Sequence, residues 1–236
     1  LHLCRLFIGA KIQNYRNILR RFVRDNGSDT DVERAADELS RCRRKVINAD
    51  SVERVRGIEG DAATSYFSVF PHLILNQKES FVFKGRNRRP PKDAVNAMLS
   101  FVYTLISNDV TAALETVGLD PYVGFMHALR PGRPSLALDI MEELRAYLGD
   151  RLVLSLINRK QITGNQFLQQ GDESIIMTDD ARRTIISAWQ ARKKEQIQHP
   201  FLNEKVSIGL LPHIQAMMLA RYLRNDLDDY PVFLIQ

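Results

Sequence analysis

Three stretches of the 236-residue chain place acids or an imidazole among apolar neighbours. The first runs Gly57-Ile58-Glu59-Gly60 through Tyr66-Phe67. On a helix, Glu59 shares its face with Ala62, Ala63, Tyr66, Phe67 and Phe70, three, four, seven, eight and eleven positions on. Small and aromatic partners mark a buried face, where a carboxylate is costly unless a cation or several donors hold it. The plain reading is a glutamate paired to a buried arginine. The second stretch pairs Asp139 with Glu142, three apart on one helix, so both can point at one spot. Leu136, Leu138, Ile140, Met141 and Leu144 leave little polar surface between them, unless the two acids edge a solvated face with Glu143 and Arg145. The third is His127, beside Phe125 and Met126 in the loop ahead of that helix. It is either a hydrogen-bonded core histidine or an imidazole delivered to both carboxylates. One imidazole with two carboxylates suits Mn²⁺ or Mg²⁺ rather than a structural zinc. Such an ion acts as a Lewis acid on a phosphodiester oxygen. Three acids near one point would also repel each other.

Two basic clusters lie beside these residues. Lys84, Arg86, Arg88, Arg89 and Lys92 crowd one short loop, and Arg130 and Arg133 follow His127 in a Pro/Gly-rich segment. A charge run is commonly just a solvated face, but basic loops flanking an acidic centre suit a phosphate backbone. Net charge is +5, and 24 of the 33 basic residues are arginine, whose planar fork makes bidentate phosphate contacts. Serine and cysteine nucleophile motifs, Walker loops and dinucleotide fingerprints are all missing from the sequence.

The elements that must carry these residues follow from apolar spacing at three- and four-residue steps. Helices are predicted over about 3–24, 30–48, 51–70, 92–117, 136–148, 181–196 and 205–225. Asp29 or Thr30, Ser135 and Asp179-Asp180 are the expected caps, with Asn26-Gly27 and Gly118 as stops. A weak alternation around Gly171 to Thr178 predicts one short hairpin. The expected fold is mainly α: a single helical domain of about seven helices over residues 1–236, with at most a short β-hairpin.

At 44% apolar and 26% charged residues, the composition excludes disordered, collagen-like and coiled-coil chains. The longest nearly apolar stretch, Ala94 to Ile106, is short for a bilayer and carries Asn96, Ser100 and Thr104. Cys4 and Cys42 lack metal-ligand spacing and read as reduced thiols of a cytoplasmic protein. The chain opens at Leu1 with an amphipathic segment under way, from which a preceding domain is expected.

Four blocks, in order, resemble the CRISPR-associated adaptation integrase, the universal first Cas protein, in its C-terminal helical domain. They are Lys11-Ile12-Gln13-Asn14-Tyr15-Arg16-Asn17, the Glu59 block, Arg88-Arg89-Pro90-Pro91-Lys92-Asp93 through Tyr103, and Gly124-Phe125-Met126-His127 through Glu143. The ending Tyr230-Pro231-Val232-Phe233-Leu234 is similar as well. The resemblance implies that Glu59, His127 and Glu142 fall on the metal ligands and Asp139 on an accessory catalytic acid. Glutamate stands at 142 where some branches carry aspartate. It further implies a DNA endonuclease and integrase of spacer acquisition using Mg²⁺ or Mn²⁺. Lys84, Arg86, Arg88, Arg89, Arg130 and Arg133 would contact DNA. The implied partners are double-stranded and branched DNA (protospacer and repeat), a second copy in the full-length protein, and the small ferredoxin-like adaptation partner, with no membrane. The family's N-terminal β-rich domain is not in this sequence. The alternative is a non-catalytic helical DNA-binding or assembly module, with Glu59 and Glu142 in buried ion pairs.

Overall fold

The computed structural model describes residues 1–235 apart from Arg88, Asp172 and Glu173. The helical spacing becomes α1 (His2–Asn26), α2 (Thr30–Ile47), α3 (Val52–Ser68), α4 (Ala94–Thr116), α5 (Ser135–Arg145), α6 (Arg151–Asn158), α7 (Asp179–Lys194) and α8 (Leu211–Leu223). A π-turn, Ala146–Asp150, joins α5 to α6 without a break, so counted as one rod the α-helices number seven among the described residues. The mainly α expectation holds.

Sheet is limited to two antiparallel pairs rather than one hairpin. β1 (Phe167–Gln170) pairs with β2 (Ser174–Met177), and β3 (Gln196–Gln198) with β4 (Lys205–Ser207). The first includes the expected hairpin, although Asp172 of its Gly-Asp turn lies outside the described residues. The second displaces the expected start of the last helix, because strands of three residues are too short for alternation to register. The helix expected to end at Leu148 runs on to Asn158. A π-turn carries an extra residue, so the 3.6-residue phase slips there and the sequence pattern breaks while the backbone continues.

Side-chain oxygens set most helix starts. Asp29 accepts from the amides of Asp31 and Val32, Ser51 from that of Arg54, and Asp93 from that of Asn96. Thr178 caps α7, which puts Asp179 and Asp180 in its first turn, where they meet the positive helix end. Ser135 does not cap α5; it is the helix's first residue, and its hydroxyl donates to the Ala128 carbonyl at 3.0 Å.

α1 lies against α2, α3 and α5, while α4 packs on α5 and α8. Between α1 and α3 the rings of Tyr15 and Tyr66 stack at 3.8 Å and 7°, with Phe67 and Phe70 both edge-on to Tyr66 and tilted to each other. The C-terminal segment returns to this core. Asn14 donates to the carbonyls of Glu143 and Phe233 and accepts from the Ile235 amide, so α1, α5 and the tail share one buried amide group. By length and composition α4 could cross a membrane, yet half of its apolar window is buried inside the protein.

Candidate metal centre

The packing of α1, α3 and α5 brings Lys11, Glu59 and Glu142 face to face. Lys11 is 1% exposed; its ammonium pairs with Glu59 Oε1 and lies 2.6 Å from Glu142 Oε2. The other Glu142 oxygen accepts from Arg145 Nη2 at 2.9 Å. Arg145 in turn sits over the Tyr103 ring, 4.7 Å from its centroid. Burial alone would raise the Glu142 carboxyl, but the charges of Arg145, Lys11 and His127 outweigh it and hold the group at about 2. The solvated-face alternative therefore fails: Glu142, Glu143 and Arg145 are all buried. So does the picture of acids that merely repel, because two cations of the chain are built in among them.

His127 is held from behind. Its Nδ1 lies 2.5 Å from Asp139 Oδ1, which leaves Nε2 as the ring nitrogen free for a ligand. The same buried carboxylate accepts the amides of Phe125, Met126 and His127 at 2.6, 3.0 and 3.0 Å. Arg56 on α3 donates to the Met126 carbonyl from the other side. Both Asp139 oxygens are thus committed to the loop, and Asp139 acts here by positioning an imidazole. A carboxylate behind a histidine fixes the ring's tautomer and direction, as around many metal ions.

The fit to an ion rests on this donor set: two carboxylates brought to one cation, and an imidazole whose far nitrogen is already engaged. The three groups do not close on each other to ligand spacing. Among the described residues, the acids and histidines with ligand atoms within 4.8 Å of one another are instead Asp29, Asp31 and His72. That cluster has ordinary work. Asp29 caps α2 with one oxygen and takes His72 Nδ1 at 2.8 Å with the other, and Asp31 stands exposed beside Arg34.

A cleft of ≈ 490 Å³ opens beside Lys11 and Glu59, and Lys84, Arg86 and Arg145 also line it. Arg86 is largely committed to the scaffold. It donates to Asn96 Oδ1 at 2.7 Å and to Ser100 Oγ at 3.1 Å, which pins the 84–92 loop to α4. Arg89 is exposed and lines an adjoining groove with Arg86 and Arg145. Arg88 lies outside the described residues. Arg130 is exposed and Arg133 half-buried in the loop after His127.

Lys11 and Arg145 were not among the expected site residues. Lys11 had a signal: it stands four residues from both Phe7 and Tyr15 on the apolar stripe of α1, where an ammonium needs a carboxylate. Arg145, three residues after Glu142, had the same spacing signal.

The sequence matches the family described as CRISPR associated protein Cas1 over residues 1–191. It is similar to the CRISPR-associated endonuclease Cas1 1 of Chlorobaculum tepidum, 54% identical over 234 residues, covering 98% of this chain and 68% of that protein. The CRISPR-associated endonuclease Cas1 of Leptospira interrogans is 46% identical over 237 residues, covering 99% and 93%. Among solved structures, a chain of a Cas6-RT-Cas1–Cas2 complex superposes with a TM-score of 0.82 at 25% identity, covering 98% of this chain and 24% of that one.

Proposed function

The chain belongs to the Cas1 family of CRISPR-associated proteins, and on that premise we propose that it is the catalytic helical domain, residues 1–236, of a metal-dependent DNA endonuclease and integrase acting in the cytoplasm in spacer acquisition. The observation that carries the reading is the meeting of Glu59 and Glu142, from helices far apart in sequence, at one cation beside an imidazole aimed by Asp139. A bound Mg²⁺ or Mn²⁺ would neutralise charge on the scissile phosphodiester and on the oxygen leaving it.

The chain's own residues do the rest. Glu59 and Glu142 offer hard oxygens, His127 offers Nε2, and Arg145 fixes the direction of Glu142. Asp139 holds the loop so that the imidazole keeps its place without a substrate. A ligated His127 has no lone pair left for a general base, so the attacking hydroxyl passes its proton to solvent. The 3′-hydroxyl of a captured DNA fragment attacks the repeat-end phosphorus, a new P–O bond forms, and the 3′-oxygen of the flanking nucleotide leaves; water in place of the 3′-hydroxyl gives nicking. Lys84, Arg86, Arg88, Arg89, Arg130 and Arg133 take backbone phosphates, so affinity is salt-dependent with little sequence readout. The Cas2 in the related complex supports a small adaptation protein as partner. In the full-length protein a second copy would pair two such surfaces.

A second reading, a non-catalytic assembly module, draws on the charge balance that Lys11 and Arg145 already give the two glutamates. Calorimetric titration with Mn²⁺ separates the two. The enzyme reading expects binding that is lost in Glu59→Ala, and Mn²⁺-dependent nicking of branched DNA that is lost in His127→Ala with DNA affinity kept. Arg130→Glu with Arg133→Glu should do the opposite, weakening DNA binding and flattening its salt dependence by about one unit of slope per lost phosphate contact. A protein that binds no Mn²⁺ and nicks no DNA selects the module, and a His127→Ala variant that nicks as fast as the parent overturns the assigned site.

A further inference from the structure

Building on the metal reading above, we propose that Lys11 is an exchangeable internal counter-cation: its ammonium occupies the metal position between Glu59 and Glu142 and swings into the adjoining cleft when the metal enters. The argument is one of occupancy. Every carboxylate oxygen of Glu142 already faces a cation, Oε1 facing Arg145 at 2.9 Å and Oε2 facing Lys11 at 2.6 Å. The same ammonium pairs with Glu59 Oε1. An ion held by these two carboxylates would need the place the ammonium holds, and two cations cannot share it. One of the chain's own cations must therefore leave.

Arg145 is poorly placed to do so. Its side chain is 8% exposed, at the joint of α5 and the π-turn, and its guanidinium lies against the Tyr103 ring. Lys11 has both a flexible stem and a destination. The cleft of ≈ 490 Å³ begins at Lys11 itself, and Tyr15, one turn along α1, lines it with a ring centroid 5.7 Å from the ammonium. Tyr15 is held rigid by its stack on Tyr66, so it can receive a displaced ammonium without moving. Before the metal arrives the ammonium offsets the charge of the half-buried Glu59 and, together with Arg145, that of the buried Glu142.

Two measurements test this. Lys11→Met keeps the stem and removes the charge; with the competitor gone, it should bind Mn²⁺ about tenfold more tightly than the parent by calorimetry. In the parent, where no substitution can disturb folding, reductive methylation of Lys11 read by mass spectrometry should rise severalfold on adding Mn²⁺, with the exposed Lys84 unchanged. Equal or weaker Mn²⁺ binding by a folded Lys11→Met, or Lys11 equally inert with and without Mn²⁺, overturns the exchange. If Mn²⁺ binds the parent and is lost in Glu59→Ala while Lys11 labelling stays flat, only the exchange fails. If the parent binds no Mn²⁺, the metal reading fails with it.

Discussion

Replacing Asp139 by alanine should test whether one carboxylate holds the histidine loop. Asp139 is fully buried and accepts four hydrogen bonds, at 2.6, 3.0 and 3.0 Å from consecutive amides and 2.5 Å from His127 Nδ1. Removing the acceptor strands the buried Met126 amide outright, at roughly 1–3 kcal/mol for an unsatisfied buried donor. The Phe125 and His127 amides are only partly buried and recover some of their loss from water. Charge-assisted bonds stand at the upper end of the net range, so the total comes to about 3 kcal/mol, a large part of the stability of an ordinary domain. Urea unfolding at neutral pH measures it, and Asp109→Ala supplies the control. Asp109 pairs with Lys193 at 2.6 Å, but both side chains are more than a quarter exposed, so its loss should cost less than about 1 kcal/mol. The same Asp139→Ala substitution should weaken Mn²⁺ binding by about 10–100-fold although Asp139 is not a ligand, because the imidazole loses its support. If Asp139→Ala unfolds at the same urea concentration as Asp109→Ala, the loop is held by something else and the reasoning fails.

Two further outcomes follow from buried groups. Burial raises the Glu143 carboxyl to about 7, although Tyr230, the Phe233 amide and Gln215 all donate to it. Its pKa is higher folded than unfolded, so its stabilising contribution is full below pH 4.5 and is lost as pH rises through 7, by about 3 kcal/mol. Glu143→Gln should remove that dependence, and a parent-minus-variant difference that stays constant from pH 4.5 to 8 would refute it. Gly149→Ala should destabilise despite alanine's better helix propensity, since a Cβ there would stand 2.8 Å from Tyr103 Cε1 and push the ring off its hydrogen bond to Asp150. The expected loss is about 1–3 kcal/mol in thermal melts; a raised melting temperature would show that propensity wins.

Helix identity was legible in the sequence because it is written locally. The apolar period set α1, α2 and α3 to within two residues or so, and residue type narrowed the cap of α2 to Asp29 or Thr30, of which Asp29 is the one used. The acid at 59, the pair at 139 and 142 and the histidine at 127 stood out for a related reason: each is a polar group among neighbours that exclude water. What each does there was not local. Asp139 and Glu142 share one helix face, yet one turns to three loop amides and the other to two cations, and only the path of residues 117–134 over α5 and the approach of α1 separate those roles. The helix beyond Leu148 was hidden by the π-turn, where the Tyr103 ring of another helix lies close against Gly149. Lys11 makes the same point at the centre of the site. Its place on the apolar stripe of α1 shows that it is buried, and burial demands a carboxylate. Which carboxylates answer, from α3 and α5, is decided where the three helices meet, since electrostatic pairing acts through space and leaves no period along the chain.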